Sequence, residues 1–193
     1  MLLRDTSTYN RCYARQSPTV RGAYERASRD NSYQLYTAGG VGCLVLNLEM
    51  WRRSGVVTWA QRVVAGHPRH NVIVVTHHYL SRTGAISTQR HYGDTAPNAL
   101  ARELILKYPN VRMVFSGTPG PPATGSTGDC MATGRLLLTT MHDGTATRSV
   151  WPRSDTRTNS LKTWVYAPWT QTSYPAVHRE ELAALTRRQR LDW

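Results

Sequence analysis

Three short apolar runs, separated by two segments of helical periodicity, constrain the fold of this chain more than any other feature. Residues 42–48 read Gly-Cys-Leu-Val-Leu-Asn-Leu, residues 71–76 Asn-Val-Ile-Val-Val-Thr, and residues 111–115 Val-Arg-Met-Val-Phe. The first run fits a strand buried on both faces, and the β-branched second run and the third read as further strands. Between the first two, Val56, Val57, Ala60, Val63 and Val64 share one helical face, with Gln61 and Arg62 opposite and Gly66 and Pro68 as terminators. Between the second and third, Thr95-Ala-Pro-Asn opens a helix that carries Leu100, Leu104, Ile105 and Tyr108 on one side and ends at Pro109. The order β-α-β-α-β predicts an α/β fold: right-handed crossovers, a parallel sheet flanked by helices, and ligands gathered at the carboxyl ends of the strands. Glu49, His77, His78 and residues 117–120 fall at those ends.

The flanking regions are less regular. Residues 1–38 are polar with no sustained period and read as an irregular connector. Residues 117–128 are rich in Gly and Pro. Beyond them, residues 133–141, 147–151 and 161–166 alternate or run apolar, with turn chemistry at Asp143-Gly144 and Thr158-Asn159, which predicts an antiparallel extension of the core. Residues 176–193 place Leu182, Leu185 and Leu191 among Glu and Arg as a terminal amphipathic segment. The organisation read from the sequence is therefore a connector (1–38), one domain (39–175) and a terminal segment (176–193), with no internal repeat.

Composition narrows the function classes. A 40% hydrophobic and 19% charged chain argues against intrinsic disorder. No apolar run approaches the roughly 20 residues of a membrane span. Leu2-Leu3-Arg4-Asp5 after Met1 leaves no secretory leader in view, and the compartment stays open. Cys12, Cys43 and Cys130 form no C-x-x-C pair, so neither a disulfide framework nor a thiolate zinc site is expected. The net charge of +12, carried by 22 Arg against 2 Lys, opens a reading as a noncatalytic basic module for phosphate-bearing partners such as nucleic acid or anionic lipid. The arginines are scattered and form no basic tail, which weakens it.

Motifs for specific chemistry are sparse. Residues 120–127 have the glycine spacing of a phosphate-cradling loop, but Ser126 stands where the lysine belongs and Pro121 and Pro122 remove backbone donors. A G-x-S-x-G elbow is missing because Thr124 occupies its first glycine. His77 and His78 are more informative, since an imidazole where a strand meets its loop can direct a neutral nitrogen at a metal. His67, His70, His91 and His178 read as packed or hydrogen-bonded imidazoles, and His142 as a turn residue.

Several segments together carry a resemblance: Trp59-Ala, Asn71-Val-Ile-Val-Val-Thr-His-His-Tyr-Leu, Pro109-Asn-Val-Arg-Met-Val-Phe-Ser-Gly-Thr-Pro-Gly and Val165-Tyr-Ala-Pro-Trp, with Asp30-Asn-Ser-Tyr-Gln-Leu-Tyr and Leu46-Asn-Leu-Glu upstream. Over about residues 30–175 the chain resembles the carboxyl-terminal half of a bacterial calcineurin-like metallophosphoesterase. The resemblance implies a β-sandwich flanked by helices and a phosphoester substrate. It also implies a dinuclear centre of Mn, Fe or Zn that polarises the ester and activates a water. Family ligands come from D-x-H, G-D-x-x-D, G-N-H-[DE], a histidine closing an apolar strand, and G-H-x-H. His77 matches the strand-closing histidine and His78 its non-ligating neighbour. Gly117-Thr-Pro-Gly stands in place of G-H-x-H, so Thr118 and Gly120 replace two imidazoles, and the first three blocks do not occur before residue 77. The expectation is a truncated, catalytically impaired hydrolase domain that keeps His77 as its single metal ligand and does not retain the metals. Family members are often exported. An apolar sheet surface left open by missing strands predicts association through exposed edges, and an upstream continuation of the gene would supply the missing blocks.

Overall fold

The computed structural model describes residues 5–12, 19–38, 40–81, 85–90, 93–118, 130–132, 135–143, 146–155, 160–167 and 170–174. In chain order these form α1 (Ser7–Cys12), β1 (Val20–Ala23), β2 (Ser32–Ala38), β3 (Val41–Asn47), α2 (Ser54–Ala65), β4 (Asn71–His78) and α3 (Pro97–Leu100), which continues as a π-helical turn over Ala101–Ile105. Then come β5 (Val111–Thr118), β6 (Cys130–Ala132), β7 (Arg135–Asp143), β8 (Ala146–Asp155), β9 (Ser160–Ala167) and β10 (Thr172–Tyr174). The predicted β-α-β-α-β core is present, and the protein is an α/β fold built on a mixed sheet.

Strands β3, β4, β5 and β7 are parallel and adjacent in that order. With strands laid down in chain order, connections of one hand carry both helices to the same face. The burial pattern shows that outcome. Leu44, Leu46, Val72, Val74 and Val114 are essentially inaccessible and form one cluster with Val56, Val57, Ala60 and Val64 of α2 and with Leu100, Leu104 and Ile105. The backbone register lines up Leu46, Val74 and Val114 across three strands on this face. On the opposite face Val45, Ile73 and Met113 are in register, as are Asn47, Val75 and Phe115, and all six are only half-buried. The expectation that the first of these strands is buried on both faces is thus corrected, since Val45 and Asn47 are only half-buried. The helices serve one face, and an apolar run records only that a strand is central.

Residues 1–38 also depart from the sequence reading. Instead of an irregular connector, they supply β1 and β2, which extend the sheet antiparallel from β3. Tyr33 and Leu35 pack on the core while Gln34 and Tyr36 alternate with them. This is a period of two that the many polar residues conceal. At the far side β7 accepts two antiparallel neighbours on one edge, β6 along its start and β8 along its end. Strands β8, β9 and β10 then form the expected antiparallel extension. β7, expected as part of that extension, instead continues the parallel sheet. His142 pairs with Thr147 inside the β7–β8 ladder, so it is a strand residue and not a turn residue. The terminal segment 176–193 lies outside the described residues.

The amino ends of β4 and β5 are tied by polar side chains. Asn110 donates from Nδ2 to the carbonyls of His67 and His70, and His67 Nδ1 donates to the Val63 carbonyl. The His67 ring lies between Tyr33 and His70, 5.4 Å from each. Burial, with help from His67 and Arg69, lowers the His70 pKa from its ordinary value of 6.5. An unfolded chain then binds the proton more readily than the folded one, so stability is full above about pH 6.5 and falls as pH drops below it. Urea unfolding between pH 7.5 and 5.5 should show a smaller loss of midpoint in His70→Gln than in the parent. Leu46→Ala, at the centre of the covered face, should cost about 2–5 kcal/mol in the same measurement.

Candidate functional site

The carboxyl ends of β3, β4 and β5 carry the residues singled out from the sequence. β4 runs two residues further than its apolar core, so both histidines belong to the strand. Alternation turns Thr76 and His78 into the helix-covered face, where both are buried, and leaves His77 exposed on the other. Thr76 pairs with Ser116 and His78 with Gly117, so His77 is the extra residue of a bulge. A bulge re-aims the side chain it carries. The His77 ring rests beside β5, where a Cβ on Gly117 would come within 3.1 Å of Cδ2 and 3.3 Å of Nε2. Its Nδ1 lies 3.2 Å from Sδ of Met50. His78 is instead enclosed: its Nε2 is hydrogen-bonded to Ser87 Oγ at 2.8 Å, and its ring packs on Trp51 with centroids 5.6 Å apart.

The β3–α2 loop forms the other wall. Glu49 is held from both sides: its backbone N–H donates to Asn31 Oδ1 at 2.9 Å, and its carboxylate accepts from Arg53 Nε at 2.9 Å. Arg53 also reaches Glu25 at 2.6 Å and lies over the Tyr24 ring. The Glu25 and Glu49 carboxylates raise the Arg53 pKa. Arg52 is fully buried without an ion pair among the described residues. Its Nη2 donates to Thr76 Oγ1 at 2.8 Å, its Nε donates to the Glu49 carbonyl at 3.3 Å, and Nη1 has no hydrogen-bond partner. Burial pulls its pKa down to about 10. Between these two arginines' anchors, Trp51 adopts a left-handed φ of 44°, a strained conformation for a bulky residue. Segment 93–95 clamps the loop: Thr95 N–H donates to the Arg52 carbonyl at 3.1 Å, and Gly93 packs directly on the Trp51 backbone.

Of the residues marked in the sequence, the structure brings together Glu49, His77 and Gly117 at neighbouring strand ends, and diverts Glu49 into an ion pair and His78 into a buried hydrogen bond. Thr118 is the last residue of β5, and Gly120 lies outside the described residues. Met50, Arg52 and Ser87 were not anticipated. Met50 follows Glu49 directly and could have been marked by that position, whereas nothing local announces that Arg52 is buried. Cys43 is buried, which raises its thiol pKa, while Cys12 is exposed. The exposed arginines among the described residues, including Arg11, Arg21, Arg62 and Arg102, sit on separate elements. No described helix is long and apolar enough to cross a membrane.

A dinuclear centre needs several imidazole and carboxylate donors converging on one point. Among the described residues no three His, Cys, Asp or Glu side chains do so. His77 has a thioether as its neighbour, so the donors present do not fit the two-metal site that the resemblance implies. No protein-family model and no curated protein matches the chain.

The clamp is testable. A Cβ on Gly93 would stand 1.6 Å from the Trp51 carbonyl oxygen, a backbone atom with no room to yield. Gly93→Ala should therefore destabilise the fold by about 1–3 kcal/mol, read as a lowered urea midpoint.

Proposed function

We propose that this chain carries the carboxyl-terminal part of a calcineurin-like metallophosphoesterase domain and that, by itself, it does not hydrolyse phosphoesters. The observation that carries the reading is the position of His77: it closes a central parallel strand, beside Gly117 of the next strand, on the sheet face that the helices leave open. A strand-closing histidine and a glycine at the end of the neighbouring strand are the arrangement in which the family's last two ligand blocks meet. The half-buried row of Val45, Ile73, Val75, Met113 and Phe115 supports the same reading, because a β-sandwich requires a second sheet on such a face. Glu49 cannot stand in as a metal carboxylate while Arg53 occupies it.

Hydrolysis of p-nitrophenyl phosphate and its bis ester, assayed with Mn, Fe or Zn, should remain at the buffer background for the chain alone. Adding a polypeptide that bears D-x-H, G-D-x-x-D and G-N-H-[DE] blocks should restore turnover, and His77→Ala should abolish it again. Turnover by the chain alone that disappears in His77→Ala would overturn the claim of inactivity, and failure of every such complement would overturn the family reading.

A further inference from the structure

We propose that the margin of the helical layer beside β1 and β2 is a binding groove for single-stranded nucleic acid. The inference does not rest on the phosphoesterase reading, since His77 lies on the opposite face of the sheet. Helix α2 packs over the parallel strands, and the sheet continues past it through β2 and β1. The side that α2 buries is aliphatic, with Val56, Val57, Ala60 and Val64, whereas the step from its flank to the sheet edge is aromatic. Trp59 of α2 lies 6.3 Å from Tyr33 of β2 and 6.1 Å from Tyr24, the residue after β1, measured between ring centroids. From Tyr33 the row runs on to His67 and then to His70, 5.4 Å at each step. Two glycines let the rings lie close: a Cβ on Gly22 would stand 2.6 Å from the Tyr33 ring, and one on Gly55 would stand 2.5 Å from the Tyr24 hydroxyl. Tyr24 is exposed, and the other four rings are partly exposed.

The charge along this row is positive. Arg53 lies over the Tyr24 ring, 5.4 Å from its centroid. Arg26 follows Tyr24 by two residues, Arg62 stands one helical turn beyond Trp59 on the same flank of α2, and Arg69 falls between His67 and His70; all three are exposed. The carboxylates of Glu25 and Glu49 are both engaged by Arg53, so they leave the other three guanidinium groups uncompensated by them. A single strand presents planar bases and a phosphate at every step, and a row of rings edged by arginines matches both. A neutral glycan would use the rings and leave the arginines idle. An anionic lipid surface would use the arginines and offer the rings no planar partner. A duplex keeps its bases stacked on one another and away from the row.

The test is fluorescence anisotropy of a fluorescein-labelled oligothymidylate of about 12 nucleotides, titrated with the full chain over a series of salt concentrations. Saturable binding that weakens with salt is expected. Tyr24→Ser, at an exposed ring, should weaken it at least about fivefold while the far-ultraviolet circular dichroism stays that of the parent. The double variant Arg62→Gln/Arg69→Gln should flatten the slope of log affinity against log salt by about 1.4, the value for two lost phosphate contacts on a single strand. Absence of binding, equal affinity in the parent and in Tyr24→Ser, or equally tight binding of a duplex of the same length or of heparin would overturn the proposal. Adsorption to phosphatidylserine vesicles without oligonucleotide binding would assign the arginines to a lipid surface and overturn it as well. The phosphatase complementation assay reads His77 on the other face of the sheet, so the two readings can fail separately.

Discussion

The rest of the structure depends on the order in which the parallel strands are laid down. Because β3, β4, β5 and β7 follow one another across the sheet, the connections never reverse, and both helices settle on one side. A doubly wound sheet has a reversal point, and the crevice there receives the ligand. This sheet has none among its parallel strands, and its strand ends are flanked by 48–53 on one side and by 79–81, 85–90 and 93–95 on the other. The same order makes the two faces unequal, one sealed by aliphatic side chains from α2 and α3 and the other left half-covered.

Most of the core was legible from local pattern. The three apolar runs and the first amphipathic helix appear where the sequence places them, whereas the second, expected as one helix up to Pro109, is α-helical only over Pro97–Leu100 and π-helical over Ala101–Ile105. What stayed hidden depends on long-range context. β2 looks irregular because Ser32, Gln34 and Thr37 interrupt it, yet Tyr33 and Leu35 are enough to anchor it once β3 lies beside it. β7 reads like a hairpin strand, and only its pairing with β5 makes it parallel. No propensity scale distinguishes a strand sealed on two faces from one sealed on one, since Leu44 and Val45 are equally apolar and differ only in what lies above them.

The site was half legible for a similar reason. His77 and His78 were marked by their place at a strand end, and alternation then separated them into an exposed imidazole and an enclosed one. The loop that faces them could not be read. Arg52 is a charged residue in a polar stretch, and its burial is set by Thr76, Tyr79 and the 93–95 segment, which arrive from more than twenty residues away. Burying a guanidinium without an ion pair opposes folding, so the loop's conformation has to be held by the surrounding packing, the bonds to Thr76 and the Glu49 carbonyl, and the Glu49 charge nearby.

The bulge at His77 has a consequence for how this protein can change. Because the register steps from Thr76↔Ser116 to His78↔Gly117, the ladder closes without the residue between them. Position 77 is therefore released from the sheet's pairing rules, and a new side chain there need not disturb the strands on either side. The strand end holds one evolvable position inside an otherwise fixed framework, where a binding chemistry can be lost and another gained while the architecture stays the same.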